Sequence, residues 1–179
     1  MEGKDDFIQI FVTGGTFDKE YDYLKGRLYF RNTHVPEMLE RARCRLPIDV
    51  KMLMMVDSLE MTEEDRAIIV HNCKRVSTNR IVITHGTDTM VETAKTLARA
   101  DIEGKTIVIT GALVPYAFHS SDGFFNLGNA LAFVQTLAPG VYIAMHGIAF
   151  KWNEVRKNPK TGFFEKIEPA DVYPGASSN

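Results

Sequence analysis

The sequence predicts an α/β fold of three layers, α/β/α, in which a doubly wound and mostly parallel sheet is covered by helices on both faces. Three observations predict it. Short runs rich in β-branched residues alternate with longer segments of helical period, the pattern of parallel strands joined by right-handed helical crossovers. The helical segments have readable ends, including Leu46-Pro47 and Pro139-Gly140. Two glycine- and threonine-bearing turns also follow apolar runs directly, at the carboxyl ends of strands, where an open α/β sheet gathers its ligand-binding groups.

Taken in order, the predicted strands are 7–12, 48–54, 80–84, 106–110 and 141–145, and the predicted helices are 35–45, 62–75, 89–100 and 124–137. Thr62 with Asp65 three residues on reads as a capping pair for the second helix. Thr89 with Glu92 reads as a capping box for the third. Residues 18–34 are too polar and too rich in tyrosine for a crossover helix, and the segment from Asp22 to Phe30 suits a hairpin or lid. A stretch from Phe150 to Gly162 carries Lys151, Arg156, Lys157 and Lys160 and reads as irregular. The end, 168–179, is rich in proline and small residues and is expected to be partly disordered.

Length and composition narrow the class of partner. With 179 residues, 45% hydrophobic and 25% charged, the chain suits one domain over 1–179 with its core in about 7–165. A formal net charge of -2 gives no broad basic footprint for nucleic acid, so small polar ligands are the expected partners. Cys44 and Cys73 lack metal or redox spacing and read as ordinary buried thiols within helices. Met1 to Asp6 has no signal-peptide pattern, and no run reaches the roughly 18 apolar residues of a membrane span. A cytoplasmic protein without membrane contact is the expectation.

The chemistry concentrates in the two turns. In Thr13-Gly14-Gly15-Thr16-Phe17, the glycines let a substrate approach main-chain donors, and Thr16 presents a hydroxyl at the centre. A threonine hydroxyl is a weak nucleophile and needs a base, a lysine amine or a proton relay beside it. The same turn also suits a plain strand exit or a phosphate cradle. Neither G-x-G-x-x-G at this turn nor G-x-x-x-x-G-K-[ST] anywhere is present to favour nucleotide binding. In Thr84-His85-Gly86-Thr87-Asp88-Thr89, the threonines and aspartate serve as caps, or Asp88 binds a substrate ammonium while the helix start attracts a carboxylate. Such a split of charges suits an α-amino acid. Asp57-Ser58-Leu59-Glu60 follows the second strand and is expected to face the same crevice.

These residues resemble the bacterial-type L-asparaginases, whose signatures are T-G-G-T-I/F and H-G-T-D-T. Here they read Thr13-Gly14-Gly15-Thr16-Phe17 and His85-Gly86-Thr87-Asp88-Thr89. A third stretch, Gly111-Ala112-Leu113-Val114-Pro115 through Ser121-Asp122-Gly123-Phe124-Phe125-Asn126-Leu127, is similar to the family's G-A-M-R-P…S-A-D-G-x-x-N-L. The resemblance implies a flavodoxin-like domain that hydrolyses the side-chain amide of asparagine, with glutamine as a possible second substrate, through a threonine acyl-enzyme. It implies no metal and no organic cofactor.

By motif position the resemblance makes Thr16 the nucleophile, Thr87 the group that positions water, Asp88 the holder of the substrate amine and Ser58 the binder of the α-carboxylate. Gly15, Asp57 and Gly86 then line the substrate. Lys157 is nominated as the lysine of the second triad, because Asn153-Glu154-Val155-Arg156-Lys157 is similar to the family's R-D-V-T-K. Tyr21, with Tyr29 as second choice, is nominated as the tyrosine of the mobile loop. His85 is assigned backbone support, and His119 surface or core packing. The chain departs from the family at Ser58-Leu59-Glu60, where Ser-Gln is usual, and in ending near half the usual length. The resemblance further implies a homodimer or homotetramer. Two other readings stay open: a module that binds asparagine or aspartate without turnover, and the asparaginase-like component of a tRNA-dependent amidotransferase.

Overall fold

A computed structural model describes residues 6–167, so the expected tail at 168–179 lies outside the described residues. Strand β1 (Ile8–Gly14) is buried at every position, β4 (Ile48–Val56) flanks it, and β5 (Arg80–Thr84), β6 (Thr106–Thr110) and β7 (Gly140–Met145) follow on its other side. All four pairings among these five are parallel, and their order across the sheet is β4-β1-β5-β6-β7. Counting only these five, that is second, first, third, fourth, fifth, the flavodoxin-like doubly wound order. Strand β8 (Ile148–Lys151) adds an antiparallel edge through a tight turn in which His146 and Gly147 take positive φ of 58° and 81°.

Alternation along the strands divides the core into two layers. Ile8, Ile10 and Val12 face one side with Val35 and Met38 of α1 (Val35–Arg41) and Leu127, Ala130 and Leu131 of α4 (Gly123–Thr136). Phe11, Ile81, Ile83 and Ile107 face the other side with Ile69 and Cys73 of α2 (Glu63–Arg75) and Met90, Ala94 and Leu97 of α3 (Met90–Ala98). A strand buried on both faces reads as a continuous apolar run, as β1 and β5 do.

The remaining pieces depart from the expectations in physically readable ways. Helix α1 stops at Arg41 because Cys44 N–H donates to Leu39 C=O and Arg43 N–H to Glu40 C=O, a Schellman closure with Arg43 at φ 52°. Its left-handed residue is an arginine, so the usual glycine signal is missing. Cys44 accordingly lies beyond the helix and is half-buried, whereas Cys73 is buried within α2, and burial pushes its thiol up to about 12. The Thr62–Asp65 capping box of α2 forms in both directions. The one expected at Thr89 does not: its hydroxyl donates to Ser58 C=O at 2.8 Å instead, a tertiary partner taking the place of the local one. The stretch expected to be irregular holds β9 (Val155–Lys157), paired antiparallel with β10 (Phe164–Lys166).

The expected hairpin is present as β2 (Lys19–Asp22) and β3 (Arg27–Phe30), paired Lys19 to Phe30. Its base is held by Asp18, which is fully buried. Asp18 Oδ1 accepts the His34 backbone N–H at 2.8 Å and the Thr33 hydroxyl at 3.1 Å, joining the start of the hairpin to the chain that leaves it. Oδ2 has no hydrogen-bond partner among the described residues. Burial raises this carboxyl to about 6, and the two hydrogen bonds and the nearby His34 only partly oppose it.

At the head of β1 the chain passes unusually close to two neighbours. Gly14, at φ 96°, sits where a Cβ would lie 2.5 Å from Val56 N of β4. Gly15, at φ 80° and ψ -177°, occupies backbone space that only glycine reaches, and a Cβ there would lie 2.3 Å from Gly86 N. The turn after β1 is thus pressed backbone to backbone against the turn after β5.

Two outcomes follow for stability. Gly15→Ala is expected to lose at least about 2 kcal/mol in urea unfolding, since strain and collision add. Gly26→Ala, at φ 63° in open space, is expected to lose about 1 kcal/mol. For Asp18, folding raises the pKa above the unfolded value, so its contribution is fully present below about pH 4 and is lost as pH rises through about 6. Asp18→Asn keeps the Oδ1 acceptor and removes the charge. Its stability relative to the parent should rise between pH 4 and pH 7, to a gain of up to about 3 kcal/mol; a flat difference across that range would contradict the assignment.

Candidate active site

The strand order reverses between β1 and β5, the position at which an open α/β sheet forms its crevice at the carboxyl ends of the strands. Thr13 closes its floor, donating its buried hydroxyl to Thr84 C=O at 2.8 Å and so tying the two strand ends together. Above that floor, Gly15 abuts Gly86, and Gly86 abuts Ser58, since a Cβ on Gly86 would lie 2.4 Å from Ser58 Oγ. Three turns therefore meet: those after β1 and β5 backbone to backbone, and those after β5 and β4 through the Ser58 side chain. Thr16 follows Gly15 as the first residue of a short 3-10 turn, Thr16–Asp18, and is half-buried.

Thr87 follows Gly86 and is only 6% exposed, while Asp88 beside it is exposed. Lys157 reaches both from β9: its Nζ donates to Thr87 Oγ1 at 2.8 Å and to Asp88 Oδ1 at 2.6 Å. The pairing of β9 with β10 aims this lysine from a position seventy residues away in sequence. A hydroxyl held by a lysine that is itself held by a carboxylate is an arrangement suited to orienting or deprotonating water. Asp88 and Lys157 also border a groove of about 290 Å³ shared with Glu92, Lys95, Trp152 and Arg156.

The other expected site residues are distributed less evenly. Ser58 is buried against Gly86, and its backbone carbonyl accepts the Thr89 hydroxyl. Asp57 engages Lys19 through Oδ2 in a close ion pair and accepts the Leu59 N–H through Oδ1 at 3.0 Å. Lys19 holds its carboxyl below the usual range. Tyr21 stands on β2 with about half of its surface exposed. Tyr29, on the facing strand, donates its hydroxyl to Glu20 at 3.0 Å. His119 is exposed, in a left-handed conformation at φ 61°.

The third motif acts on the loops around the crevice. Asp122 accepts the N–H groups of Leu113 and Val114 at 3.0 Å, and Asn126 donates to Gly111 C=O at 2.9 Å while accepting His146 N–H at 3.2 Å. Gly111 lies where a Cβ would be 2.4 Å from His85 C=O, so this loop supports the second turn from behind. Sequence reasoning passed over three residues that the fold brings to these turns. Lys19 offered a signal, being a cation three residues beyond Thr16. Arg66 and Thr93 offered none, because they point inward from α2 and α3 and meet only in the folded chain.

Residues 7–168 match the family model described as "Asparaginase, N-terminal". A protein of Haemophilus influenzae named "Probable L-asparaginase periplasmic" is 32% identical over 170 residues, covering 86% of this chain and 47% of that one. A glutamyl-tRNA(Gln) amidotransferase component from Methanococcus maripaludis is 32% identical over 149 residues, covering 78% of this chain and 35% of that one. The solved structure of the thermostable L-asparaginase from Thermococcus kodakarensis superposes with a TM-score of 0.79 at 27% identity, over 89% of this chain and 51% of that one. The chain thus spans about half the length, or less, of these relatives. The matched residues contain both threonine turns, the strand order around them and the hairpin that carries Lys157, and on that match the chain belongs to the asparaginase family through its N-terminal domain.

Proposed function

We propose that this protein is an amidohydrolase that converts L-asparagine to L-aspartate and ammonia through an acyl-enzyme on Thr16. The single observation that carries this reading is Lys157 bonded to both Thr87 and Asp88, on a turn in backbone contact with the turn of Thr16. Thr16 Oγ1 attacks the side-chain amide carbon, the C–N bond breaks, and ammonia departs carrying the hydroxyl proton. Water oriented by Thr87, with Lys157 behind it, then adds to the ester carbon and returns the proton to Thr16 as aspartate leaves.

Asp88 takes the substrate ammonium, Ser58 the α-carboxylate, and Gly15, Asp57 and Gly86 the space around them. Engagement of the Tyr29 hydroxyl with Glu20 favours Tyr21 as the tyrosine that closes over Thr16. No metal or organic cofactor enters these steps. Residues 1–179 are read as one N-terminal-like unit that acts in the cytoplasm as a homodimer or homotetramer on asparagine, with glutamine as a possible second substrate, without nucleic acid or membrane partners. Among the described residues, no helix is long and apolar enough to cross a membrane.

A second reading draws on the similarity to the amidotransferase component of Methanococcus maripaludis: the same turns would supply ammonia to a partner enzyme. A third, prompted by the span of about half the relatives' length, is a module that binds asparagine without turnover. One assay separates all three. Purified protein mixed with asparagine alone should release ammonia and aspartate in equal amounts. Binding by calorimetry without ammonia over hours supports the binding module, and ammonia release that needs an added partner supports the amidotransferase reading.

Thr16→Ala and Thr87→Ala are each expected to lower kcat at least about a thousandfold while leaving the unfolding midpoint within a few degrees of the parent. Lys157→Met should lower it about a hundredfold. Near-parental turnover in the two threonine variants would refute the assigned roles.

A further inference from the structure

Behind the second turn runs a buried polar chain that no step above uses. Arg66, only 5% exposed, donates its Nε–H to Thr93 Oγ1 at 3.2 Å. Thr93 Oγ1 lies 2.8 Å from His85 Nε2, and His85 Nδ1 lies 2.7 Å from Gly86 C=O. His85 and Thr93 are both fully buried. The ends of this chain each have only one polarity. A carbonyl only accepts, so Nδ1 carries the proton; a guanidinium only donates, so the threonine oxygen is the acceptor toward Arg66. The threonine hydrogen is then directed to Nε2, and the imidazole is held neutral in its Nδ1–H tautomer. Burial, with a smaller effect of the Arg66 charge, depresses His85 to about 4 against the opposing bond to Gly86, in keeping with a neutral ring at physiological pH.

We propose that Arg66 and Thr93 are positioning residues for the hydrolysis: acting through His85 they fix the Gly86–Thr87 peptide plane and so aim Thr87 at the substrate. The geometry gives the reason. In a trans peptide the carbonyl and the following N–H point in opposite directions. With Gly86 C=O anchored inward on His85, the Thr87 N–H faces the opposite way, and Thr87 Oγ1 is left to Lys157. The relay also couples two loops. Arg66 Nη1 donates to Met61 C=O and Thr62 C=O, both at 3.3 Å, and to Glu63 Oε1 at 2.8 Å, which secures the segment that follows Ser58. One buried cation thus references the Ser58 loop and the Thr87 turn to each other. Its charge, removed from water, is met by those oxygens and by Thr93.

This inference rests on the asparagine-hydrolysis reading for its kinetic expectation, but its structural part is measurable without turnover. The test uses Thr93→Val, which keeps the shape and removes the hydroxyl, with Thr93→Ser as the rescue. Nitrogen-15 NMR of the histidine rings should find His85 as the Nδ1–H tautomer throughout pH 5 to 8 in the parent. In Thr93→Val the Nε2 resonance and the Thr87 amide should shift, kcat should fall about tenfold with KM changed less than twofold, and Thr93→Ser should restore all three. Should the valine variant fail to fold, Arg66→Lys, which keeps the charge but lacks Nε–H, carries the same expectation. An unshifted Thr87 amide, or a His85 that carries its proton on Nε2 in the parent, overturns the relay. Parental protein that releases no ammonia from asparagine overturns the hydrolase reading instead, and the two resonances still decide the relay.

Discussion

The contact of Gly15 with Gly86 is the constraint on which the rest of this structure depends. At 2.3 Å from a hypothetical Cβ to the Gly86 nitrogen, the two turns approach more closely than any side chain would permit. That approach is possible because β1 and β5 are adjacent parallel strands in register, with Val12 opposite Thr84, so both turns leave the sheet at the same height. Thr13, donating to Thr84 C=O, locks that height. Each glycine is followed by a threonine, so the contact of the glycines sets the backbones of Thr16 and Thr87 one residue from the point where the two turns meet.

Around this contact, the supporting loops are held by polar groups with defined partners, as buried polar atoms require. Asp122 and Asn126 hold the loop after β6, and the Arg66–Thr93–His85 chain holds the second turn from below. Three buried side-chain atoms stand apart, with no hydrogen bond among the described residues: Asp18 Oδ2, His34 Nε2 and Thr84 Oγ1. The first lies two residues from Thr16, at the base of the hairpin that bears Tyr21. A carboxyl left partly unsatisfied there joins the ionisation of a buried group to the base of that hairpin, which Asp18 Oδ1 holds through Thr33 and His34.

The site is asymmetric in how it meets solvent. On the Lys157 side it continues into a groove bordered by Trp152 and Lys95, while on the Tyr21 side it is bounded by a hairpin with Tyr21, Tyr23, Leu24 and Leu28 exposed. The chain spans about half the length of its relatives, and its hairpin presents these apolar side chains without cover among the described residues.

Much of this was legible in sequence, because it depends on local signals. The five parallel strands, the four helices, the Thr62 cap and the two threonine turns follow from periodicity and turn chemistry, which act over a few residues. The motifs likewise nominated Thr16, Thr87, Asp88 and Lys157. Misreadings fell where a distant partner displaced a local one: Thr89 turned from Glu92 to Ser58, and α1 closed on a left-handed arginine rather than a glycine. Strands of three residues such as β9 were also too short to show a period. What the sequence determined by itself was the order of the elements and the kinds of chemical group at their ends. Only the tertiary structure decided that Lys157 reaches Thr87 and Asp88, that Lys19 takes Asp57, and that Arg66 meets Thr93 beneath His85. The distances that govern hydrogen bonds and ion pairs are set by packing between segments far apart in the chain, and no local pattern encodes them.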